Sequence, residues 1–177
     1  MKTIICFSIL LYTTQFSFSQ KYTLEKSTIT FYSDAPVEDI KAENRKAASL
    51  LNMTTGDIVF SIPIEEFEFE KDLMKKHFNE KYLETEKYPK ATFQGKIIGF
   101  KTEVSGEQET SAKGKLTMHG VTKEIEVQGI IDMTNNKPRI KANFKIRIAD
   151  YNIKIPQLLW KNIAEEVDVK VEFNYKP

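Results

Sequence analysis

Cysteine is nearly absent from the sequence, and no hydrophobic run is long enough to cross a bilayer. Cys6 is the single cysteine among 177 residues, so no disulfide can form within the chain. Crossing the hydrocarbon core takes about 20 apolar residues, whereas the apolar stretch that starts at Ile4 ends at Tyr12. These absences exclude a disulfide-stapled scaffold and argue against a membrane-spanning helix.

An excess of charge of one sign is also missing. The chain has 26 Lys and Arg residues against 25 Asp and Glu residues, which argues against attraction to nucleic acid or to an anionic membrane surface. The sequence contains no H-x-x-x-H, H-E-x-x-H or G-x-S-x-G spacing. The common zinc-binding and serine-hydrolase motifs are therefore excluded, and we expect no metal and no cofactor.

The first residues have the pattern of a secretory signal. Lys2 precedes the apolar stretch, and Ser17 and Ser19 stand at the -3 and -1 positions of a signal-peptidase site. We predict cleavage after Ser19, which makes residues 20–177 a single exported domain, periplasmic or secreted, with no transmembrane segment. Cleavage removes Cys6, so the domain must be held together by burial alone.

Most of the remaining sequence alternates apolar and polar residues with a period of two, which is typical of half-buried strands. The alternation is clearest over residues 138–148, 167–175 and 114–129, with turn residues between the runs. Many short strands of this kind indicate a sandwich or a barrel. One segment breaks the pattern, because Asp72 to Tyr82 has the apolar spacing of an amphipathic helix.

The segment GKLTMHGVTKEIEVQG, residues 114–129, is predicted to form a hairpin. With Gly120 and Val121 as the central pair, Gly120 would supply the positive φ of a type II′ turn. His119 would then face Thr122 and lie on the solvent side or at a rim.

Three segments together resemble the YceI-like family. GKLTMHGVTKEIEV is similar to its central signature, HFNEKYLETEKYPKATFQGKI to the segment before it, and KIRIADYNIKIP with EEVDVKVEF to its Arg-x-x-Asp-aromatic motif and closing strand. The resemblance implies an all-β fold, an extended eight-stranded antiparallel lipocalin-like barrel with one short helix. It also implies strands over residues 37–52, where propensity alone favours a helix.

For function, the resemblance implies an exported protein that holds a long-chain isoprenoid or another lipid in an apolar lumen. We expect the lumen to be lined by apolar side chains of the strands, the helix and the segment after Pro156. These are Phe60, Phe67, Phe69, Leu73, Met74, Phe78, Phe93, Leu116, Met118, Phe144, Ile146, Ile148, Leu158 and Trp160. Arg147 and Asp150 are candidates for holding a polar head group, or for a salt bridge that closes the barrel.

Two other classes of function stay open at the level of sequence. A barrel with a filled core could serve as an envelope stress protein or a docking scaffold without a lipid, because alternation cannot distinguish a filled barrel from a hollow one. An enzyme would need His77 or His119 beside carboxylates in one cleft. No spacing favours catalysis, so we expect no enzyme, and oligomeric state is left open.

Overall fold

The computed structural model describes residues 21–34, 39–134, 137–155 and 164–177. Within these ranges the chain forms ten strand segments and one α-helix, α1 (Asp72–His77), which continues into a π-helical turn at Phe78–Tyr82. The strands are β1 (Lys21–Ser33), β2 (Ile40–Asn44), β3 (Ala48–Asn52), β4 (Asp57–Pro63), β5 (Glu68–Phe69), β6 (Lys90–Ile98), β7 (Glu107–Met118), β8 (Val121–Asp132), β9 (Arg139–Arg147) and β10 (Glu166–Lys176).

The strands form a closed antiparallel barrel. Neighbours follow the order β10, β9, β8, β7, β6, β4, β3, β1, and β1 pairs with β10 to close the sheet. β2 continues the path of β3 along β1, and β5 lies beside β2 beyond the end of β4. The ten segments therefore make eight strands. The predicted eight-stranded barrel with one short helix is confirmed, and residues 40–44 and 48–52 are strands despite their helical propensity.

The half of the barrel that is far from α1 has a solid core. Alternate residues of β10 point inward, and Phe173 and Tyr175 are each only 1% exposed. Leu51 of β3 and Ile131 of β8 complete this core at 1% and 0% exposure. The Tyr175 hydroxyl shares a hydrogen bond of 2.7 Å with Ser49 Oγ, so the polar atom of this large ring is satisfied.

The turn between β7 and β8 differs from the predicted one. Met118 pairs with Val121, which leaves His119 and Gly120 as the two central residues. Both have positive φ, 49° and 73°, as a type I′ turn requires. The type II′ prediction was wrong because it overlooked that histidine, among non-glycine residues, enters the left-handed region comparatively often.

The corrected register also changes the surroundings of His119. Thr122 faces Thr117, and the two hydroxyls are 2.8 Å apart. The His119 side chain is only 8% exposed, so of its two predicted positions the solvent side was wrong. Among the described residues, no helical segment has both the length and the apolar character needed to cross a membrane.

Candidate functional site

A cavity of about 270 Å³ lies in the half of the barrel next to α1. Aromatic rings separate it from the solid core. Phe60 stacks on Phe93 with ring centroids 5.1 Å apart, and Phe173 meets Phe60 edge-on at 5.5 Å. These three rings make a floor between the filled and the hollow halves of the barrel.

A second aromatic cluster fastens α1 over the hollow half. Phe31 of β1 stacks on Phe78, with centroids 5.4 Å apart and planes at 15°. Phe67 and Phe69 contact both of these rings at centroid distances of 4.9 to 5.8 Å. Because offset and edge-to-face pairs of this kind are favourable, Phe78 of the π-helical turn holds the helical segment to the barrel.

Most residues predicted from the sequence to face the lumen do line this cavity. They are Phe60, Phe67, Phe69, Met74, Phe78, Leu116, Met118, Phe144, Ile146 and Ile148. Phe93 lies behind Phe60 in the floor. Leu73 is 64% exposed and does not line the cavity, because the face of the helix that carries Met74 and Phe78 is the one turned inward. Leu158 and Trp160 are outside the described residues.

Other parts of the wall were not predicted from the sequence. Inward-facing residues of β1 and β10 contribute to it, as do residues around the 3-10 turn Ile148–Tyr151. They include Ile29, Phe31, Val167, Val169, Val171, Ile153 and Ile155. The same period of two that identified the other lining strands was available to find those of β1 and β10.

The described wall contains three polar side chains, those of Ser33, His77 and Tyr82. Burial raises the pKa of the Tyr82 hydroxyl, which therefore keeps its proton at neutral pH. Ser33 Oγ accepts a hydrogen bond of 2.9 Å from the Ala164 backbone N–H. Periodicity could not have found these residues, because apolar patterning does not register a polar group on an inward face.

Arg147 and Asp150 lie away from the cavity. Both are exposed, and neither is among the residues that line the wall. Arg147 pairs with Glu166 across β9 and β10, on the outer face of the barrel. The structure therefore does not bring this predicted head-group pair to the cavity.

His119 joins three segments at the α1 end of the barrel. Its Nδ1 lies 3.0 Å from the Tyr151 carbonyl oxygen and its Nε2 lies 2.9 Å from Glu84 Oε2. A carbonyl oxygen can only accept, so Nδ1 carries a proton and donates it. The Tyr88 ring meets the imidazole at a centroid distance of 4.6 Å. We call this arrangement of His119, Glu84, Tyr88 and Tyr151 the His119 clasp.

The two histidines occupy separate places with different surroundings. His77 lines the cavity, whereas His119 is held in the clasp outside the cavity wall. Within the described ranges no group of three or more His, Cys, Asp or Glu side chains is placed to hold a metal ion. The chemistry that the cavity offers is an apolar environment with a few hydrogen-bonding groups near the helix.

Solved structures share this fold. The Burkholderia cenocepacia protein BcnA is 16% identical, with 84% of this chain and 95% of that chain covered at a TM-score of 0.71. A polyisoprenoid binding domain from Saccharophagus degradans is 18% identical, with 88% and 97% covered at 0.73. The YCEI protein of Campylobacter jejuni is 18% identical, with 98% and 94% covered at 0.51. At these identities the likeness establishes the fold alone.

Sequence comparison assigns the family. None of the curated proteins compared with the chain matches it. The family model of the YceI-like domain matches residues 13–175, nearly the whole chain. The chain therefore belongs to the YceI-like domain family.

Proposed function

We propose that this chain is an exported binding protein that holds the long apolar tail of an isoprenoid, or of a similar amphiphilic lipid, in the barrel cavity. The observation that carries the proposal is the cavity itself, whose described wall is apolar except for three side chains. A wall of this kind has little to offer a polar metabolite, but it removes hydrocarbon from water.

The energetics of such binding are favourable. Burying a five-carbon prenyl unit stabilises a complex by roughly 3–4 kcal/mol, at about 0.8 kcal/mol for each methylene-sized group. Three or four units contribute about 9–16 kcal/mol, which matches or exceeds the cost of association of about 4–15 kcal/mol. The volume of about 270 Å³ is near the lower end of ligand pockets, about 300–1,000 Å³, and suits a slender chain.

Two further observations support a carrier over a scaffold barrel without a ligand. The core is filled only below the Phe60 floor, and a pure scaffold has no need of the hollow half above it. The Saccharophagus degradans domain, which shares this fold, is a polyisoprenoid binding domain. Catalysis has less support, because the carboxylate nearest His119 belongs to the clasp and not to the cavity.

Export is part of the proposal and rests on the sequence. Lys2, the apolar stretch and the Ser17-Phe18-Ser19 site predict a mature chain of residues 20–177 in the periplasm or outside the cell. Intact mass spectrometry of the protein from both the exported and the cell-retained fractions tests this directly. The mass of residues 20–177 is the expected result, and an uncut chain retained in the cell would contradict it.

A cavity-filling variant tests the location of the ligand. Ala91 lines the wall at 4% exposure, so Ala91→Phe places a ring where the lipid tail would lie. Displacing one prenyl unit costs roughly 3 kcal/mol, which weakens polyprenol binding by about 100-fold. Ala48→Phe, on the exposed side of β3, is the matched control, and it is expected to bind like the wild type.

Binding is measured by native mass spectrometry and by competition with a fluorescent fatty-acid probe, with thermal unfolding run beside both. Ala91→Leu provides a smaller step if the phenyl ring impairs folding. Equal affinities in the wild type and in folded Ala91 and Ala48 variants would contradict a ligand in the cavity.

A further inference from the structure

The wall of the barrel is incomplete between β8 and β9. The cross-strand partners of these two strands end at Gly129 and Ala142. Beyond this point β8 still pairs with β7 and β9 still pairs with β10, but residues 121–128 of β8 and 143–147 of β9 are not partners of each other. We call the gap between these two stretches the side slit. Its two lips are strand edges whose backbone groups have no partner strand on that side.

The side slit is closed at both of its ends. At one end the ladder between β8 and β9 begins. At the other end His119, in the turn before β8, donates from Nδ1 to the carbonyl oxygen of Tyr151 at 3.0 Å, in the 3-10 turn that follows β9. The stretch 143–147 between these ends is about 17 Å long, at about 3.4 Å per residue. The side slit is therefore a bounded opening in the wall and not a frayed end of the barrel.

The lips of the side slit are apolar on the side that faces the cavity. Phe144 and Ile146 of β9 belong to one lip, and both line the cavity. Val121 and Ile125 of β8 belong to the other lip, where they are partly buried and pack against the core. A hydrocarbon chain that passes between these lips stays in contact with apolar side chains instead of water.

The inner face of β8 reaches solvent beside the slit. Lys123 is the cross-strand partner of Leu116, and directly opposite residues of two strands point to the same face of the sheet. Leu116 lines the cavity and is 5% exposed, whereas Lys123 is exposed. A continuous wall would cover a side chain on the inner face, so the exposure of Lys123 indicates that the wall is open at this level.

The α1 end of the barrel is more firmly closed than the side slit. Phe31, Phe67 and Phe69 pack on Phe78 of the helical segment, with ring centroids 4.9 to 5.7 Å apart. A chain that moved along the barrel axis at this end would have to displace the helical segment and break these contacts. Passage through the side slit breaks no ladder hydrogen bond, because β8 and β9 are not paired there.

The side slit can also close by extending the ladder that exists. Continued in the same register, the ladder brings Glu126 opposite Lys145 and Glu124 opposite Arg147. All four residues are exposed, and opposite charges that face each other across two strands stabilise the pair. The sequence of the two lips therefore supports a zipped state in which β8 and β9 are paired along the slit.

We propose that the lipid enters and leaves the cavity sideways through the side slit, and that zipping of β8 to β9 retains it. This inference rests on the function proposed above. The apolar tail slides between the lips while the aromatic cluster at the α1 end stays packed. Exchange of the lipid is then controlled by the pairing of two strands and not by movement of the helix.

A crosslink across the slit tests this route. Residues 20–177 contain no cysteine, so Glu126→Cys with Lys145→Cys places the only thiols on the two lips, where a disulfide or a short bismaleimide joins them. Stopped flow follows uptake of a fluorescent fatty-acid probe, and a chase with unlabelled polyprenol follows its release. Because a fastened wall opens only by breaking ladder hydrogen bonds, we expect both rates to fall by about tenfold or more, with Kd nearly unchanged. Reduction of the disulfide should restore both rates. Ile130→Cys with Lys141→Cys joins residues that are already paired, and this matched control is expected to exchange lipid like the wild type.

The variant Lys145→Glu tests the zipped state. It places a carboxylate opposite Glu126 in the extended register, and like charges directly opposite each other destabilise a strand pair. Release of the probe is therefore expected to be about twofold to fivefold faster than in the wild type. Lys96→Glu is the matched control, because Lys96 lies 4.0 Å from Asp57 on the outer face of the barrel, much as Lys145 lies 3.7 Å from Asp168. Its rates should match those of the wild type.

The outcomes separate the side route from the carrier function. Rates that the crosslink leaves unchanged, with a normal Kd, would overturn the side route, place exchange at the α1 end and leave the carrier intact. Release from Lys145→Glu at the rate of Lys96→Glu would overturn the zipped state. Failure of the wild type to take up the probe or a polyprenol would overturn the proposed function and the side route together.

Discussion

The His119 clasp gives a quantitative prediction for the variant His119→Ala. The substitution removes the hydrogen bond to the Tyr151 carbonyl, worth about 1 kcal/mol. It also removes the contact with Glu84, whose side chain is 48% exposed, so this contact contributes only about 0.5 kcal/mol. Loss of the edge-on packing with Tyr88 adds about 0.5–1.5 kcal/mol. The expected destabilisation is about 2–3 kcal/mol.

Urea unfolding followed by circular dichroism measures this value, and thermal unfolding checks it. For a domain of this size each kcal/mol lowers Tm by roughly 2–4 °C, so His119→Ala is expected to lower Tm by about 5–10 °C. Lipid affinity at a temperature where the variant is folded should be close to that of the wild type, because His119 does not line the cavity.

A double-mutant cycle with Glu84→Gln isolates the contribution of the Glu84 carboxylate, and a coupling of about 0.5 kcal/mol is expected. A Tm of His119→Ala within about 1 °C of the wild type would refute the clasp as a stabilising contact. It would restore the interpretation of His119 as a surface residue.

The remaining predictions concern the hairpin turn and the solid core. Gly120 has φ of +73° and a Cβ there would lie 2.6 Å from Tyr88 Cε1, so Gly120→Ala should cost about 1–3 kcal/mol in urea unfolding. Gly106→Ala, at φ of +94° with nothing within 4 Å, carries the φ strain alone, and equal losses would rule out the Tyr88 contact. Tyr175→Phe removes the buried hydrogen bond to Ser49 and should cost about 1 kcal/mol at neutral pH.

The buried Tyr175 hydroxyl also predicts how the free energy of unfolding changes at alkaline pH. Burial raises the pKa of its hydroxyl, so the folded protein keeps a proton that the unfolded chain loses near pH 10. The stability from this group is fully present below about pH 10 and falls as pH rises above it. Unfolding free energies measured from pH 8 to pH 11 should decline less steeply for Tyr175→Phe than for the wild type. Parallel curves would show that Tyr175 does not contribute.

The strands and their inward faces could be predicted because alternation depends only on neighbouring residues. Phe144 and Ile146 on β9 and Leu116 on β7 line the cavity as their pattern indicates. The β7–β8 turn was mispredicted because moving the central pair by one residue moves every cross-strand partner by two residues, so that Thr122 faces Thr117 and not His119. The symmetry of Thr117 and Thr122 about His119-Gly120 was the signal for the correct turn.

The hollow half of the barrel and its polar end could not be predicted from the sequence. The same apolar alternation fills the barrel around Phe173 and leaves a cavity beside Phe144, because the difference lies in how rings from distant strands meet. Ser33, His77 and Tyr82 come together only through the π-helical turn and the closure of β1 on its neighbours. Arg147 was predicted as a head-group residue from a motif, and the motif does not specify whether the Arg147 side chain faces the cavity or the solvent.

The most direct test of the carrier function is to identify what the exported protein contains. The full chain, with its signal, is expressed and the mature form is purified without detergent, followed by solvent extraction and mass spectrometry beside native mass spectrometry. We predict one long-chain amphiphile per protein, with an isoprenoid or similar apolar tail. A protein that is free of lipid and also fails to take up added polyprenols would contradict the account.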